Sequence, residues 1–368
     1  MGVHAMSRAG GTELNAFQVG RGLVQRGHTL DLVAARDGEL SAEYRTFCRS
    51  VARRPIFDFA RASALRDLMR MTPAIVTAAR TKPDVVYPNR FAEIVWAAAA
   101  GKLSGAPVVC HLHECRHARP GSFPNTHVRR FIAVSEFLRR QWVDLGLDAD
   151  RIDVVHNGVS GDDYPMGGLE ERAGARTTLG LDQDGFVALY YGRLDPEKGV
   201  DVLLEAWRKL GLAGTEGTLL VVGSPSAHDP NGERYAAGLR ESAPPGCVWR
   251  PAQADVVVLL HAADVVVVPS IWDEPCARVI IETLATGRPP VVTRTGGSPE
   301  LLEGPLERLL VEPGDAGMLA SALASLVDWR DREPALAALC RDHVRDGFSL
   351  DHLVEGVEGS LSAAVGEG

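Results

Sequence analysis

Long hydrophobic runs, paired cysteines and an excess of positive charge are all missing from this 368-residue chain, and each absence excludes a class of protein. The longest apolar stretch, VVVLLHAADVVVVPSIW at 256–272, is interrupted by His261, Asp264 and Pro269. It reads as a helix end followed by a buried strand, since a membrane span needs about 20 mostly apolar residues. The opening MGVHAMSRAGG has no basic head followed by an apolar run, so no secretory signal is expected. Six cysteines, at 48, 110, 115, 247, 276 and 340, form no CxxC pair. They suit free thiols in a reducing cytoplasm, the expected location, and not a disulfide framework. With 39 Lys and Arg against 48 Asp and Glu, the formal net charge is -9. Nucleic acid is therefore not an expected partner. No internal repeat is evident.

What the chain has is alternation. Short β-branched runs at 29–34, 85–87, 107–112, 131–134, 152–156, 186–191, 218–222, 265–268 and 290–293 are separated by amphipathic helical stretches. In GVDVLLEAWRKL, for example, Val200, Leu203, Leu204 and Trp207 fall on one helical face. Such alternation predicts an α/β architecture, with parallel sheets covered by helices on both sides. The chain is too long for one ordinary core. The pattern pauses at VSGDDYPMGGLEERAGARTTLGLDQD (159–184), rich in Gly and Asp. Residues 161–184 are read as a linker between an N-terminal domain, 1–160, and a C-terminal domain, 185–347. Two doubly wound domains facing a cleft would hold ligands at the carboxyl ends of their strands.

Two glutamates carry the first chemical signal. In DEPCARVIIETLATGRPPVV (273–292), Glu274 precedes Pro275, which suits the first turn of a helix that Gly287 would stop. Glu282 then lies two turns inside an apolar stretch, where an unpartnered carboxylate is costly. Eight helical residues rise roughly 12 Å, about the span of a nucleotide diphosphate-sugar from ribose to hexose. The N–H groups of Cys276, Ala277 and Arg278 would meet the diphosphate at the positive end of the helix dipole, with both carboxylates accepting from sugar hydroxyls. The plainer alternative is a charge that stabilises a helix end and a Glu paired with an Arg.

In YYGRLDPEKGVDVLLEAW, a buried strand is followed by Arg193 and Lys198 on either side of a turn. A planar guanidinium and a mobile ammonium suit a leaving diphosphate; the alternative is two solvated charges beside Asp195 and Glu197. In SRAGGTELN (7–15), Gly10 and Gly11 before a helix allow a backbone to approach a ligand closely. On an extended strand, HLHECRHARP (111–120) would align His111, His113, Cys115 and His117 on one face. Zinc sites draw on converging, separated ligand pairs, no DxD-type acidic pair follows a strand, and no metal is expected. The stretch 52–82 carries Arg53, Arg54, Arg61, Arg66, Arg70, Arg80 and Lys82 against Asp58 and Asp67, interleaved with Phe57, Phe59, Leu65, Leu68 and Met71. It suits a peripheral contact with anionic lipid or, the reading preferred, an ordinary helix with a solvated basic side.

Together these segments resemble the retaining glycosyltransferases of family 4, which have the two-domain GT-B fold. The resemblance spans nearly the whole chain: AGGTE (9–13), RFIAVSEFLRR (130–140), DVVHNGV (153–159), GRLDPEKGVDVLLEAW (192–207), PSIWDEPCARVIIETLATGRPPVVT (269–293) and LLVEPGDAGMLASAL (309–323). It implies that Arg193 and Lys198 hold the diphosphate, Glu274 the donor hexose and Glu282 the ribose. The Gly10–Gly11 backbone would approach the diphosphate, and His113 would lie near donor sugar and acceptor. FSLDHLVEGVEGSL and the residues after it (348–368) would form a helix returning to the first domain. Two departures stand out: only GVHAM precedes the glycine loop, so the first strand is expected either truncated or short, at 3–6, and Cys276 stands where the family often has glycine or an aromatic residue. The implied reaction moves a hexose of the glucose, N-acetylglucosamine or mannose type from a nucleotide diphosphate-sugar, UDP-linked as a family-level expectation, with no metal. The acceptor would be a hydroxyl of a small polyol, aminocyclitol or glycan. A membrane glycolipid acceptor, a nucleotide-sugar epimerase and an inactive nucleotide-binding protein are the alternatives.

Overall fold

The computed structural model describes residues 1–8, 10–56, 63–115, 126–212, 216–226, 230–253 and 255–366. The chain folds into two compact units, Met1–Gly158 with Leu350–Gly368, and Val159–Ser349.

The first unit contains two three-stranded parallel sheets, β1 (Gly2–Ala5), β2 (Asp31–Arg36) and β3 (Ser50–Arg53), and β4 (Val109–Leu112), β5 (Arg130–Ala133) and β6 (Ile152–Val154). Residues 86–88 join them, since Pro88 bridges Gly2 and Val86 bridges Val108. The expected strand there is reduced to bridges, because Pro88 has no N–H to donate. The expected short first strand is present and pairs with β2. Val19, Leu23, Tyr87, Val109 and Ile132 pack with Leu353, Val354 and Val357, so the helix Leu350–Gly366 covers one face of this unit. The helix Ala64–Arg80 buries Met71, Ala74, Ala78 and Asp67 and leaves Leu65 and Met69 exposed. Phe57, Asp58, Phe59 and Arg61 lie outside the described residues. Among the described residues no helix is long and apolar enough to cross a membrane.

The second unit holds one parallel sheet of β7 (Phe186–Tyr191), β8 (Gly217–Val222), β9 (Cys247–Arg250), β10 (Val265–Val268), β11 (Pro290–Thr293) and β12 (Leu310–Val311), in the order β12-β11-β10-β7-β8-β9. The strand order reverses between β7 and β10, both entirely buried. Their continuous Val, Leu and Tyr runs are what a parallel sheet covered on both faces requires.

The segment 161–184 is not a linker. It belongs to the second unit and folds into the helix Leu169–Leu179, which packs on the helix Val257–Ala262. Its polar composition hides a structural role: Arg172 and Arg176 reach across to Asp264, and Arg176 is fully buried.

Candidate functional site

In an open parallel sheet, ligands bind beyond the strand carboxyl ends where the order reverses. In the second unit that place is beyond β7 and β10, and the connections after these two strands are locked together. After β7, the turn Pro196–Lys198 leads to Gly199 at φ +66°. A Cβ on Gly199 would lie 2.0 Å from the carbonyl oxygen of Pro269, and Ile271 N–H donates to Glu197 O at 2.9 Å. Only glycine permits both that backbone conformation and that approach.

The locking brings Lys198 to Glu274. Lys198 Nζ donates to Glu274 Oε1, and Ser270 Oγ donates to the same oxygen at 2.7 Å. Nζ also lies 5.1 Å from the centre of the Trp272 ring, within reach of a cation–π attraction. Glu274 is 7% exposed, yet its Oε2 takes no hydrogen bond from the described residues. Its backbone is held from the other side: Gly297 N–H donates to Glu274 O at 2.7 Å. Gly296, at φ +54°, passes so close that a Cβ would meet that carbonyl at 2.1 Å.

These contacts correct the expected helix. It runs Arg278–Ala285 with Ala277 as its N-cap, so Glu274, Pro275 and Cys276 precede it. Glu274 is biased to extended backbone by the proline after it and is tied to Gly297. The rise of roughly 12 Å expected for a continuous helix between the glutamates therefore does not apply, since only the four steps from Arg278 to Glu282 are helical, about 6 Å. Cys276 is buried and Ala277 half-buried. The Arg278 side chain turns inward, its Nε 3.2 Å from Glu282 Oε1, while Tyr191 OH donates to Glu282 Oε2 at 2.9 Å. Burial, and then the neighbouring Glu282, hold the Tyr191 hydroxyl well above its ordinary pKa, so it stays protonated and donates.

Arg193 has other partners than Lys198. Its half-exposed guanidinium pairs with Asp195 at 2.6 Å and with Glu197 at 3.0 Å, and Tyr190 OH donates to its carbonyl at 2.5 Å. The two cations thus lie in one connection, each held by a different carboxylate. Tyr191, Ser270 and Trp272 complete the site and were not singled out from sequence. The available signal for Tyr191 was a hydroxyl ending an otherwise apolar strand, since buried tyrosines usually find a partner.

In the first unit the strand order reverses between β1 and residues 86–88. Gly10 is the extended N-cap, and Gly11 the first residue, of the helix Gly11–Gln25; Ala9 lies outside the described residues. A Cβ on Gly10 would meet Glu13 Oε2 at 2.2 Å, so a carboxylate occupies the space over the loop. Asn89 Nδ2 donates to Thr12 O at 3.0 Å, and its Oδ1 lies 3.4 Å from His113 Nε2. The His113 ring centre is 4.1 Å from that of His111. His111 is fully buried against Tyr87 OH, and burial lowers its pKa to about 3. Among the described residues no group of three or more His, Cys, Asp or Glu could hold a metal ion; His117 lies outside them. A cavity of about 760 Å³ opens at the amino-terminal ends of the strands, lined by Met1, Asp31, Tyr87, Trp96 and Leu361 among others. It contains none of the candidate site residues.

Comparison with known proteins adds to this geometry. Residues 9–162 match the family model described as Glycosyltransferase Family 4, and residues 185–328 the model described as Glycosyl transferases group 1. A D-inositol 3-phosphate glycosyltransferase of Mycolicibacterium smegmatis is 33% identical over 65% of this chain and 54% of its own length. The chain thus spans about half the length of that relative. The enzyme of the same name from Acidothermus cellulolyticus is 29% identical over 98% of the chain and 87% of its own length. Among solved structures, an Anabaena protein in complex with UDP and glucose superposes with a TM-score of 0.83, covering 98% of this chain and 99% of that one, at 21% identity. That likeness establishes a shared GT-B fold.

Proposed function

We propose, from the premise that this chain belongs to glycosyltransferase family 4, that it transfers a hexose from a nucleotide diphosphate-sugar to an acceptor hydroxyl with retention of configuration. One observation carries this reading: Glu274 stands beyond the strand-order reversal of the second unit with Oε1 holding Lys198 and Ser270, and Oε2 accepting from none of the described residues. A nearly buried carboxylate that the protein satisfies on one side only is a ready acceptor for a sugar hydroxyl.

In this reading Glu274 binds the hexose, Glu282 the ribose, and Lys198 and Arg193 the diphosphate. The reading also assigns the Gly10–Gly11 backbone to the diphosphate and His113 to the surroundings of donor sugar and acceptor. The bond from the anomeric carbon to the departing phosphate oxygen breaks, and the acceptor oxygen bonds to that carbon on the same face. The acceptor proton passes to the phosphate oxygen. The protein contributes position and charge stabilisation, and two cations neutralise the diphosphate without a metal. Lys198 must then be shared between Glu274 and the diphosphate. UDP is the proposed nucleotide. The relatives named D-inositol 3-phosphate glycosyltransferases favour a cyclitol among the polyol acceptors.

The test is a thermal-shift titration with UDP, GDP, ADP and TDP in EDTA, repeated on Lys198→Ala. A nucleotide at a hundred times its dissociation constant should stabilise by about 2.7 kcal/mol. A shift with UDP that survives EDTA and is lost in the variant supports the reading, and product formation from UDP-sugars with inositol phosphates then tests the acceptor. No shift with any of the four overturns it. A glycolipid acceptor is the second reading, favoured by the exposed Leu65 and Met69 beside Arg66 and Arg70. Co-sedimentation with anionic vesicles decides it.

A further inference from the structure

Each oxygen of Glu282 is held by a side chain from a different element, and this bears on how tightly the site can define a ligand. Arg278 reaches Oε1 from one helical turn earlier, at 3.2 Å, and Tyr191 reaches Oε2 from the end of β7, at 2.9 Å. Two donors on two oxygens fix both the position and the plane of the carboxylate, where either alone would leave it free to pivot. A carboxylate offers about four lone-pair sites, more than these donors fill, so the group can still accept from a ligand. The Tyr191 backbone is set by the sheet, in register with Val222 of β8. The hydroxyl is therefore anchored to a strand inside the six-stranded sheet.

Nothing in the packing of β7 calls for that hydroxyl. The strand is otherwise Phe186, Val187, Ala188, Leu189 and Tyr190, all buried, and phenylalanine would fill the same space. The oxygen finds its partner in Glu282. The Tyr164 hydroxyl also interacts with Glu282 and Arg278, from the segment preceding the helix Leu169–Leu179. The carboxylate is thus braced from a strand, from its own helix and from a third segment of the same unit.

We infer that Tyr191 is a positioning residue for Glu282: its hydroxyl aims the carboxylate at the ribose and so sets how strongly this chain prefers ribonucleotides to 2′-deoxyribonucleotides. The inference rests on the proposed ribose role of Glu282. Tyr191 itself touches no substrate atom; it acts by removing one of the orientations in which Glu282 would miss the sugar hydroxyls. A residue needed only for packing would leave that preference unchanged when its hydroxyl is removed.

The experiment compares the affinities of UDP, GDP and ADP, each against its 2′-deoxy form, for the wild-type protein, Tyr191→Phe, Glu282→Gln and the double variant. A hydrogen bond to a charged group corresponds to about a tenfold effect or more. Tyr191→Phe should lower the ribose preference by about tenfold while remaining folded, with a modest fall in melting temperature from the lost hydrogen bond and none from packing. The double variant should be no worse than Glu282→Gln, the non-additivity of two groups acting as one. If Glu282→Gln abolishes the preference and Tyr191→Phe keeps it, the positioning role is wrong and the ribose role stands. If Glu282→Gln itself keeps the preference, the ribose role falls and the inference falls with it.

Discussion

At the amino-terminal end of β10, Asp264 takes two hydrogen bonds on each carboxylate oxygen: Arg172 and Arg330 on Oδ1, at 3.0 and 3.1 Å, and Arg176 and Val187 N–H on Oδ2, at 2.7 and 2.8 Å. At the carboxyl end of the same strand, Glu274 takes two on Oε1 and none from the described residues on Oε2. Both groups are nearly buried, at 3% and 7% exposed. Burial therefore does not separate them; saturation does. Asp264 has no acceptor capacity to spare and ties two helices, Leu169–Leu179 and Trp329–Arg332, to the sheet. Burial pushes its pKa up, but Arg176, Arg172, the Val187 amide and Arg330 together outweigh burial and hold it below the ordinary value. Among the described residues, the second oxygen of Glu274 is left over. A carboxylate completed by its own chain is structural, and one completed on one side only is where binding is to be sought.

Breaking the saturated end should have the largest effect on stability. Asp264→Asn leaves three guanidinium groups around a neutral amide, and removing one partner of a buried ionic cluster costs about 3–5 kcal/mol. Urea denaturation of wild type and variant measures it, and nucleotide affinity of the folded protein should be unchanged. The difference should also depend on pH. A carboxylate with a depressed folded pKa contributes stability that is fully present above its unfolded value, about 3.9. The gap should therefore hold at neutral pH and close as pH falls below about 4 and through the lower folded value.

Lys198→Ala tests the open end. It should lower kcat/KM for transfer by about a hundredfold to a thousandfold, as loss of a charge-stabilising donor does elsewhere, with a smaller loss of stability than Asp264→Asn. If the stability loss is the larger of the two, Lys198–Glu274 is a structural pair and the contrast between the ends fails. Gly199→Ala tests the lock that brings them together. A left-handed alanine costs about 1–2 kcal/mol, and the Cβ would also displace the Pro269 carbonyl. Both stability and nucleotide affinity should fall, measured by denaturation and titration on one preparation. Trp272→Leu should have the smallest effect, about 0.5–1 kcal/mol, seen as a twofold to fivefold weaker binding of UDP with unchanged melting.

Legibility in the sequence followed burial. β7, β10 and β11 have the bounds that their unbroken apolar runs predict, because strands buried on both faces have no polar positions to blur the pattern. The strands Ser50–Arg53 and Cys247–Arg250 lie at sheet edges, only partly buried, and carry no such signal. Strand Leu310–Val311 is two residues long. The helix Leu169–Leu179 escaped notice because its inward side includes Arg176, and a charged residue reads as solvent-facing until its partner is found. Among site residues, the spacing of Glu274 and Glu282 was visible, whereas the partners Ser270, Tyr191 and Trp272 were not. Ser270 stands four residues before Glu274, a spacing without meaning outside a helix.

The sequence by itself determined the α/β alternation, the second unit's central strands, the family, and which glutamates and cations are candidates, since hydrophobic periodicity and motif spacing are local along the chain. The tertiary structure alone decided which cation meets which carboxylate. Arg193 and Lys198 lie in one connection, yet Arg193 is held by Asp195 and Glu197 and Lys198 crosses to Glu274, 76 residues away. That choice depends on Gly199 letting two backbones touch, and hydrogen bonds between segments distant in sequence are set by such contacts and not by spacing.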